Sequence, residues 1–287
     1  MSLPQTLTQP NRCPMCELHE LPMKTLCEHF DQPHQLPIRG QERRWLATLS
    51  QHNLSTSVGQ GRVYETGPKQ APTVLLIHGW GGYAGMFAPL ANQLVSRGYR
   101  AVVPDLLGHG EAASVGARHF GAQRIWLTQI LHKLGPCQHV VGHSLGGLLA
   151  TLLPVSAGRR STTLLGAPQS LTHAFQHFVD QLPLSTSTGL ANRLAGWYCA
   201  EHDLPIDCLP HHSGGYAEHV LFVHGSKDHR FSSDQARANH SRCPLPRQQK
   251  QLLIGEHLGH LGILYHDEIH HTICTFIDHA QESSHAM

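Results

Sequence analysis

Ser144 is the residue around which chemistry can be built. It lies in Gly142-His143-Ser144-Leu145-Gly146, a match to G-x-S-x-G. The apolar run His139 to Val141 before it reads as a buried strand, and Leu145 to Leu153 after it as a helix packed through small residues. A serine on so sharp a strand-to-helix turn has strained backbone and an exposed hydroxyl. Glycines two before and two after let strand and helix pass close by. Acyl transfer by such a hydroxyl needs a base, an acid that orients the base, and two N–H donors for the oxyanion, all converging on the serine.

Candidates for each part sit at the ends of apolar runs. Asp228, in Gly225-Ser226-Lys227-Asp228 after the run His219 to Val223, is the expected acid; Asp203, Asp207 and Asp234 are weaker rivals. Asp105 precedes the serine and reads as holding its own turn. The base is expected in Gly255-Glu256-His257-Leu258-Gly259-His260-Leu261-Gly262. His260, in a glycine-flanked turn that opens towards a closing helix, is preferred, with His257 as the alternative. The expected oxyanion donors are the N–H of Leu145, just after the serine, and that of Trp80 in His78-Gly79-Trp80-Gly81-Gly82.

The elements that must carry these residues follow from periodicity. Thr73 to Ile77 is a continuous apolar, β-branched run, as a strand buried on both faces reads. Met86 to Arg97 has helical spacing and is closed by Gly98. Strand and helix then alternate: Tyr99 to Val103, Phe120 to Leu134, Cys137 to Val141, Ser161 to Leu165, His219 to Val223, Gln251 to Ile254, and a last helix over Asp267 to Ala280. Thr56 to Val58 and Gly61 to Tyr64 suggest a hairpin across Gly59-Gln60. The alternation predicts an α/β fold: a mostly parallel central sheet with helices on both faces, and ligands at the carboxyl ends of its strands. Residues 169–215 are too long for one crossover and read as a short helical lid. Its aromatic residues, Phe178 and Trp197 among them, suit small or medium apolar groups.

Composition narrows the function. The 287 residues carry a formal net charge of +1, and charged residues are only 14%. No basic face for neutralising phosphates is implied, so no nucleic-acid partner is expected. No run approaches the roughly 18 apolar residues of a membrane span, and the N-terminus lacks a secretory pattern. A cytoplasmic chain with reduced thiols is the expectation. The 26 histidines are scattered; most are expected at the surface, where they would raise the net charge below about pH 6.5. Residues 1–40, rich in Cys, His and Pro, read as an arm separate from the domain at 41–287. Cys13-Pro14-Met15-Cys16 is half of a zinc site. Cys27 and His29 are a poor second half, so no metal is assigned.

The set His78 to Gly82, Asp105 with Gly108-His109-Gly110, Gly142 to Gly147, Gly225 to Asp228 and Gly259-His260 resembles the α/β-hydrolase superfamily over about residues 60–280. His-Gly-Trp-Gly is similar to small bacterial esterases with short lids. The resemblance implies a triad of Ser144, Asp228 and His260, with Trp80 and Leu145 as oxyanion donors and no cofactor. It implies a serine carboxylester hydrolase acting on a small-molecule ester through an acyl-enzyme. The alternatives are an acyl thioesterase, or a non-catalytic binding protein that uses the N-terminal arm. Relatives with a carboxylate nucleophile, such as dehalogenases, are disfavoured by serine at 144. Oligomeric state has no sequence signal.

Overall fold

The computed structural model describes residues 23–110, 115–155, 158–182, 189–205 and 217–283. Its frame is a sheet of nine strands: β1 (Ser50–Thr56), β2 (Gly59–Thr66), β3 (Thr73–Ile77), β4 (Arg100–Pro104), β5 (Val115–Gly116), β6 (His139–His143), β7 (Ser161–Leu165), β8 (His219–Gly225) and β9 (Lys250–Gly255). The order is β1-β2-β4-β3-β6-β7-β8-β9, with the two-residue β5 paired to β2. The β1–β2 hairpin is antiparallel and β2 meets β4 antiparallel; from β4 to β9 every pairing is parallel.

Residue alternation along the strands explains why the sheet is covered twice. Leu75 and Ile77 of β3, Val140 of β6 and Phe222 of β8 enter one apolar core, while Val74, Leu76, Val141 and Val223 enter the other. Successive side chains on a strand point to opposite faces, so a continuous apolar run serves both. Each such side chain, once buried, contributes about 1.5–3 kcal/mol. Helices α3 (Ala88–Ser96) and α9 (Asp267–Glu282) cover one face through Leu90, Leu94, Ile273 and Ile277. The other face carries α4 (Phe120–Leu134) and α5 (Leu145–Leu152), which contribute Trp126, Leu127, Leu148 and Leu149. Helix α8 (Ser233–Arg242), capped by the Ser232 side chain, fills the crossover between β8 and β9.

Two regions depart from the sequence reading. The β1–β2 hairpin, which follows helix α2 (Gly40–Thr48), turns at Ser57-Val58 and not across Gly59-Gln60, because Thr56 pairs with Gly59. Residues 23–39, within the stretch read as an arm, pack on the domain: α1 (Met23–Phe30) buries Leu26, Cys27 and Phe30 in the same core as the sheet. The hydrophobic residues of α1 recur too few times for periodicity to expose them. The interval read as a lid supplies α6 (Leu171–Asp180) and α7 (Leu190–Glu201), packed on each other over the carboxyl end of the sheet. Among the described residues no helix is long and apolar enough to cross a membrane.

Candidate active site

Strand β6 ends at His143, and α5 begins at Leu145; Ser144 alone makes the turn. Its φ of 55° and ψ of −127° are strained for a residue with a side chain. The turn persists because its surroundings over-determine it. Ser144 N–H donates to Leu165 O at 2.8 Å, and Gly147 N–H to Ser144 O at 2.9 Å. A methyl group at Gly142 would overlap the Gly146 carbonyl, and one at Gly146 the Ile77 carbonyl. The G-x-S-x-G spacing is thus a packing requirement of this elbow.

Two loops at neighbouring strand ends bring acid and imidazole together. Ser226 N–H donates to Gly255 O and Lys227 N–H to Leu258 O, both at 2.9 Å, which zips the loop after β8 to the loop after β9. Asp228 and His260 then face each other: His260 Nδ1–H donates to Asp228 Oδ2 at 2.7 Å, with both residues buried. The carboxylate acceptor places the ring proton on Nδ1, which leaves a lone pair on Nε2 of the neutral ring. Nε2 is buried and has no hydrogen-bond partner among the described residues, Ser144 Oγ included. Ser144 and His260 line one narrow cleft with Gly79, Trp80 and His143. Burial lowers the His260 pKa, against the opposing pull of Asp228.

His257 occupies a different position. It is exposed, its φ is 62°, and its main-chain N–H donates to Ser226 Oγ at 2.9 Å. Its role is in the loop-to-loop seam, and the structure brings His260, not His257, to Asp228. Of the rival acids, Asp234 is exposed in the first turn of α8, Asp203 sits in a left-handed turn after α7, and Asp207 lies outside the described residues.

Asp228 has more partners than sequence reasoning found. Oδ1 accepts the N–H groups of Arg230 at 2.9 Å and Phe231 at 3.1 Å. His224 Nε2 lies 3.2 Å from Oδ2 and 2.9 Å from Phe231 O. Both neighbours of that nitrogen are acceptors, so it carries a proton and donates to both. Burial pushes the Asp228 pKa up, but the donors from His224 and His260 outweigh it and hold the carboxyl well below the usual carboxylate range. His224 is the fourth residue before the acid on a buried strand, and no motif marks it.

The loop after β3 is locked from both sides. Gly82 N–H donates to Gly79 O at 3.0 Å, closing a turn whose third residue, Gly81, has a φ of 75° that favours glycine. His78 Nδ1–H donates to Gly79 O at 2.8 Å, and Nε2 accepts the N–H of Leu106 at 3.0 Å. Desolvation, with His109 adding to it, lowers the His78 pKa to about 3, so the ring is neutral. Asp105 lies against Gly110 in its own turn, and its Oδ1 also accepts the N–H of Ala84 at 2.8 Å, which fixes the far end of this loop. Trp80 and Leu145 line the same cavity as Ser144. Leu145 is the first residue of α5, where the main-chain N–H has no partner within the helix and favours negative charge.

That cavity, of about 460 Å³, is framed by Ala174, His177 and Phe178 of α6, by Arg230 and Phe231, and by His29 to Leu36 of the N-terminal segment. Phe178 lines it; Trp197 packs against the core instead. Of the zinc candidates, Cys13 and Cys16 lie outside the described residues. Cys27 is enclosed in the core, where desolvation raises its thiol to about 12, so it is a poor thiolate ligand; His29 is exposed at the cavity.

Residues 72–191 match the family described as alpha/beta hydrolase fold. The magnesium-chelatase 30 kDa subunit of Rhodobacter capsulatus is 40% identical over 98 residues, 32% of this chain and 33% of that protein. The pimeloyl-[acyl-carrier protein] methyl ester esterase of Chromobacterium violaceum is 43% identical over 81 residues, 28% of this chain and 30% of that one. The matches thus span about a third of these relatives' length. A crystal structure of a putative lipase from Acinetobacter baumannii superposes with a TM-score of 0.59 at 20% identity, over 92% of this chain and 98% of that one. At that identity the likeness speaks for the fold alone. Residues 72–191 thus carry the alpha/beta hydrolase sequence pattern, and strand order and serine elbow give the chain the α/β-hydrolase fold.

Proposed function

We propose that the chain is a serine hydrolase that cleaves carboxylic esters through an acyl-enzyme on Ser144. The observation that carries this reading is the 2.7 Å pair of His260 and Asp228, whose free Nε2 shares a cleft with the left-handed serine. The bond between Ser144 Oγ and Nε2 is expected to form with substrate bound, as catalytic hydrogen bonds often tighten only then. His260 Nε2 takes the hydroxyl proton as Ser144 Oγ attacks the ester carbon, and Asp228 stabilises the imidazolium. The N–H groups of Leu145 and Trp80 receive the oxyanion, each contributing about 2.7–4 kcal/mol to barrier reduction. Collapse expels the alcohol, which leaves with the proton from His260. Water, deprotonated by the same ring, then attacks the acyl carbon and frees the acid and Ser144 Oγ. Side chains and amides handle every charge in this sequence, without a cofactor.

The esterase activity in the name of the Chromobacterium violaceum relative supports the reaction class. A fluorophosphonate probe tests it: wild type should label and Ser144→Ala should not. Equal labelling, or none of the wild type, refutes the assignment and favours a hydrolase-fold binding protein. The same machinery cleaves thioesters, so p-nitrophenyl esters run beside acyl thioesters of the same length decide the leaving-group class.

A further inference from the structure

The stretch from His29 to Leu36 crosses the mouth of the sheet and is seated on the loop proposed to hold the oxyanion. Trp80 Nε1–H donates to Phe30 O at 2.7 Å, and Leu36 N–H to Gly81 O at 2.8 Å. A side chain at Gly81 would strike the His34 carbonyl. Gln35 Nε2 donates to Gly108 O at 3.2 Å, and Tyr198 OH of α7 to Asp31 Oδ1 at 2.5 Å. The strap is therefore tied to the loops after β3 and β4 and to the helical cover at once.

Phe30 is the strap's inward residue. Only 4% exposed, it stacks between Trp80, at 5.8 Å between ring centroids, and Phe175, at 4.2 Å. The edge of Phe178 meets it at 5.6 Å. Phe30, Trp80, Phe178, Leu145 and Phe231 together give the cavity around Ser144 an apolar wall. Apolar surface of this kind binds hydrocarbon and excludes water.

We propose that this N-terminal strap is a wall of the substrate cavity and that the Phe30 ring sets the length of apolar acyl chain admitted. The proposal rests on the serine-esterase reading for its substrate class, esters of medium-length unbranched acids. It assigns specificity to a residue outside the stretch that matches the family. Removing the ring leaves an apolar space continuous with the cavity, and such spaces accept apolar guests. Each further methylene buried there is worth about fourfold in binding.

Two measurements test this on the full chain. In the first, kcat/KM is taken for p-nitrophenyl esters from acetyl to dodecanoyl with wild type, Phe30→Ala and Phe30→Leu. The ratio of decanoyl to butyryl kcat/KM should rise about tenfold or more in Phe30→Ala, and by an intermediate amount in Phe30→Leu. In the second, free fatty acids of the same lengths are titrated while Trp80 fluorescence is followed, with Trp80→Phe to assign the signal. The length bound best should move upwards with the Phe30 change. If Phe30→Ala does not fold, Phe30→Leu, which keeps apolar bulk, still decides. Length profiles of unchanged shape in folded variants overturn the proposal. If the wild type neither turns over esters nor labels with fluorophosphonate, yet the fatty-acid length shifts, the wall stands and the esterase reading falls.

Discussion

His224 and His260 share one oxygen of Asp228: Nε2 of the first lies 3.2 Å from Oδ2, and Nδ1 of the second 2.7 Å. His224 also spans to the carbonyl of Phe231, so it braces the turn whose N–H groups hold the other carboxylate oxygen. A carboxylate gripped in this way has one orientation left to offer His260.

Replacing His224 should therefore disturb turnover more than binding. In His224→Leu the Phe231 carbonyl loses its donor and Asp228 loses one of its four. A fall of about tenfold in kcat, equivalent to about 1.4 kcal/mol, is expected with KM nearly unchanged. Stability should drop by about 1–3 kcal/mol, the usual result of stranding a buried polar group. His224→Gln, which keeps an N–H donor, should restore part of the kcat. Steady-state kinetics and denaturant melts of the three proteins check this.

The acid limb of activity should lie below the ordinary histidine range. Burial lowers the His260 pKa, so the neutral base persists to lower pH than a free imidazole near 6.5 allows. The midpoint of the acid limb in the wild-type kcat/KM profile should lie below about pH 6.5. Asp228→Asn removes the carboxylate that favours imidazolium. It should move the limb still lower while cutting kcat by several orders of magnitude.

Acid should erode the protein's stability before its carboxylates titrate. His78, His109 and His139 are buried and, by desolvation first, have pKa values of about 3, 4 and 4. Unfolding returns them to about 6.5. Between that value and about pH 4 the unfolded chain binds more protons than the folded one. Stability is thus full above pH 6.5 and declines as the pH falls, by about 1.4 kcal/mol per unit for each ring. By about pH 4 the three rings together remove about 10 kcal/mol, comparable to a total of about 5–15 kcal/mol. Denaturant melts followed by circular dichroism as a function of pH measure this, and a stability unchanged between about pH 7 and about pH 4 contradicts it.

Two glycines should respond in opposite senses. Gly142→Ala drives a methyl into the Gly146 carbonyl and should cost at least about 1–3 kcal/mol. Gly196→Ala, within α7 and with open space around the added methyl, should stabilise by about 0.5–1 kcal/mol. Urea midpoints of both variants settle the comparison.

The parallel strands and the serine turn were legible in the chain itself because their signals are local. A strand buried on both faces must be apolar throughout, as Thr73 to Ile77 is, and an elbow as tight as Ser144's tolerates only small neighbours at 142 and 146. Asp228 and His260 could be picked out because each follows a strand. The preference between His257 and His260 was not local. It depends on how far the loop after β9 travels before Lys227 and Leu258 pair, and that distance turns one ring to Asp228 and the other to solvent. His224, the Asp105 bond to Ala84 and the seat of Phe30 on Trp80 were likewise invisible in sequence. Each joins residues far apart in the chain or hidden inside a strand, where an aromatic or a histidine looks like ordinary core. Chain order determined which groups end which strands; only tertiary packing decided which of them meet.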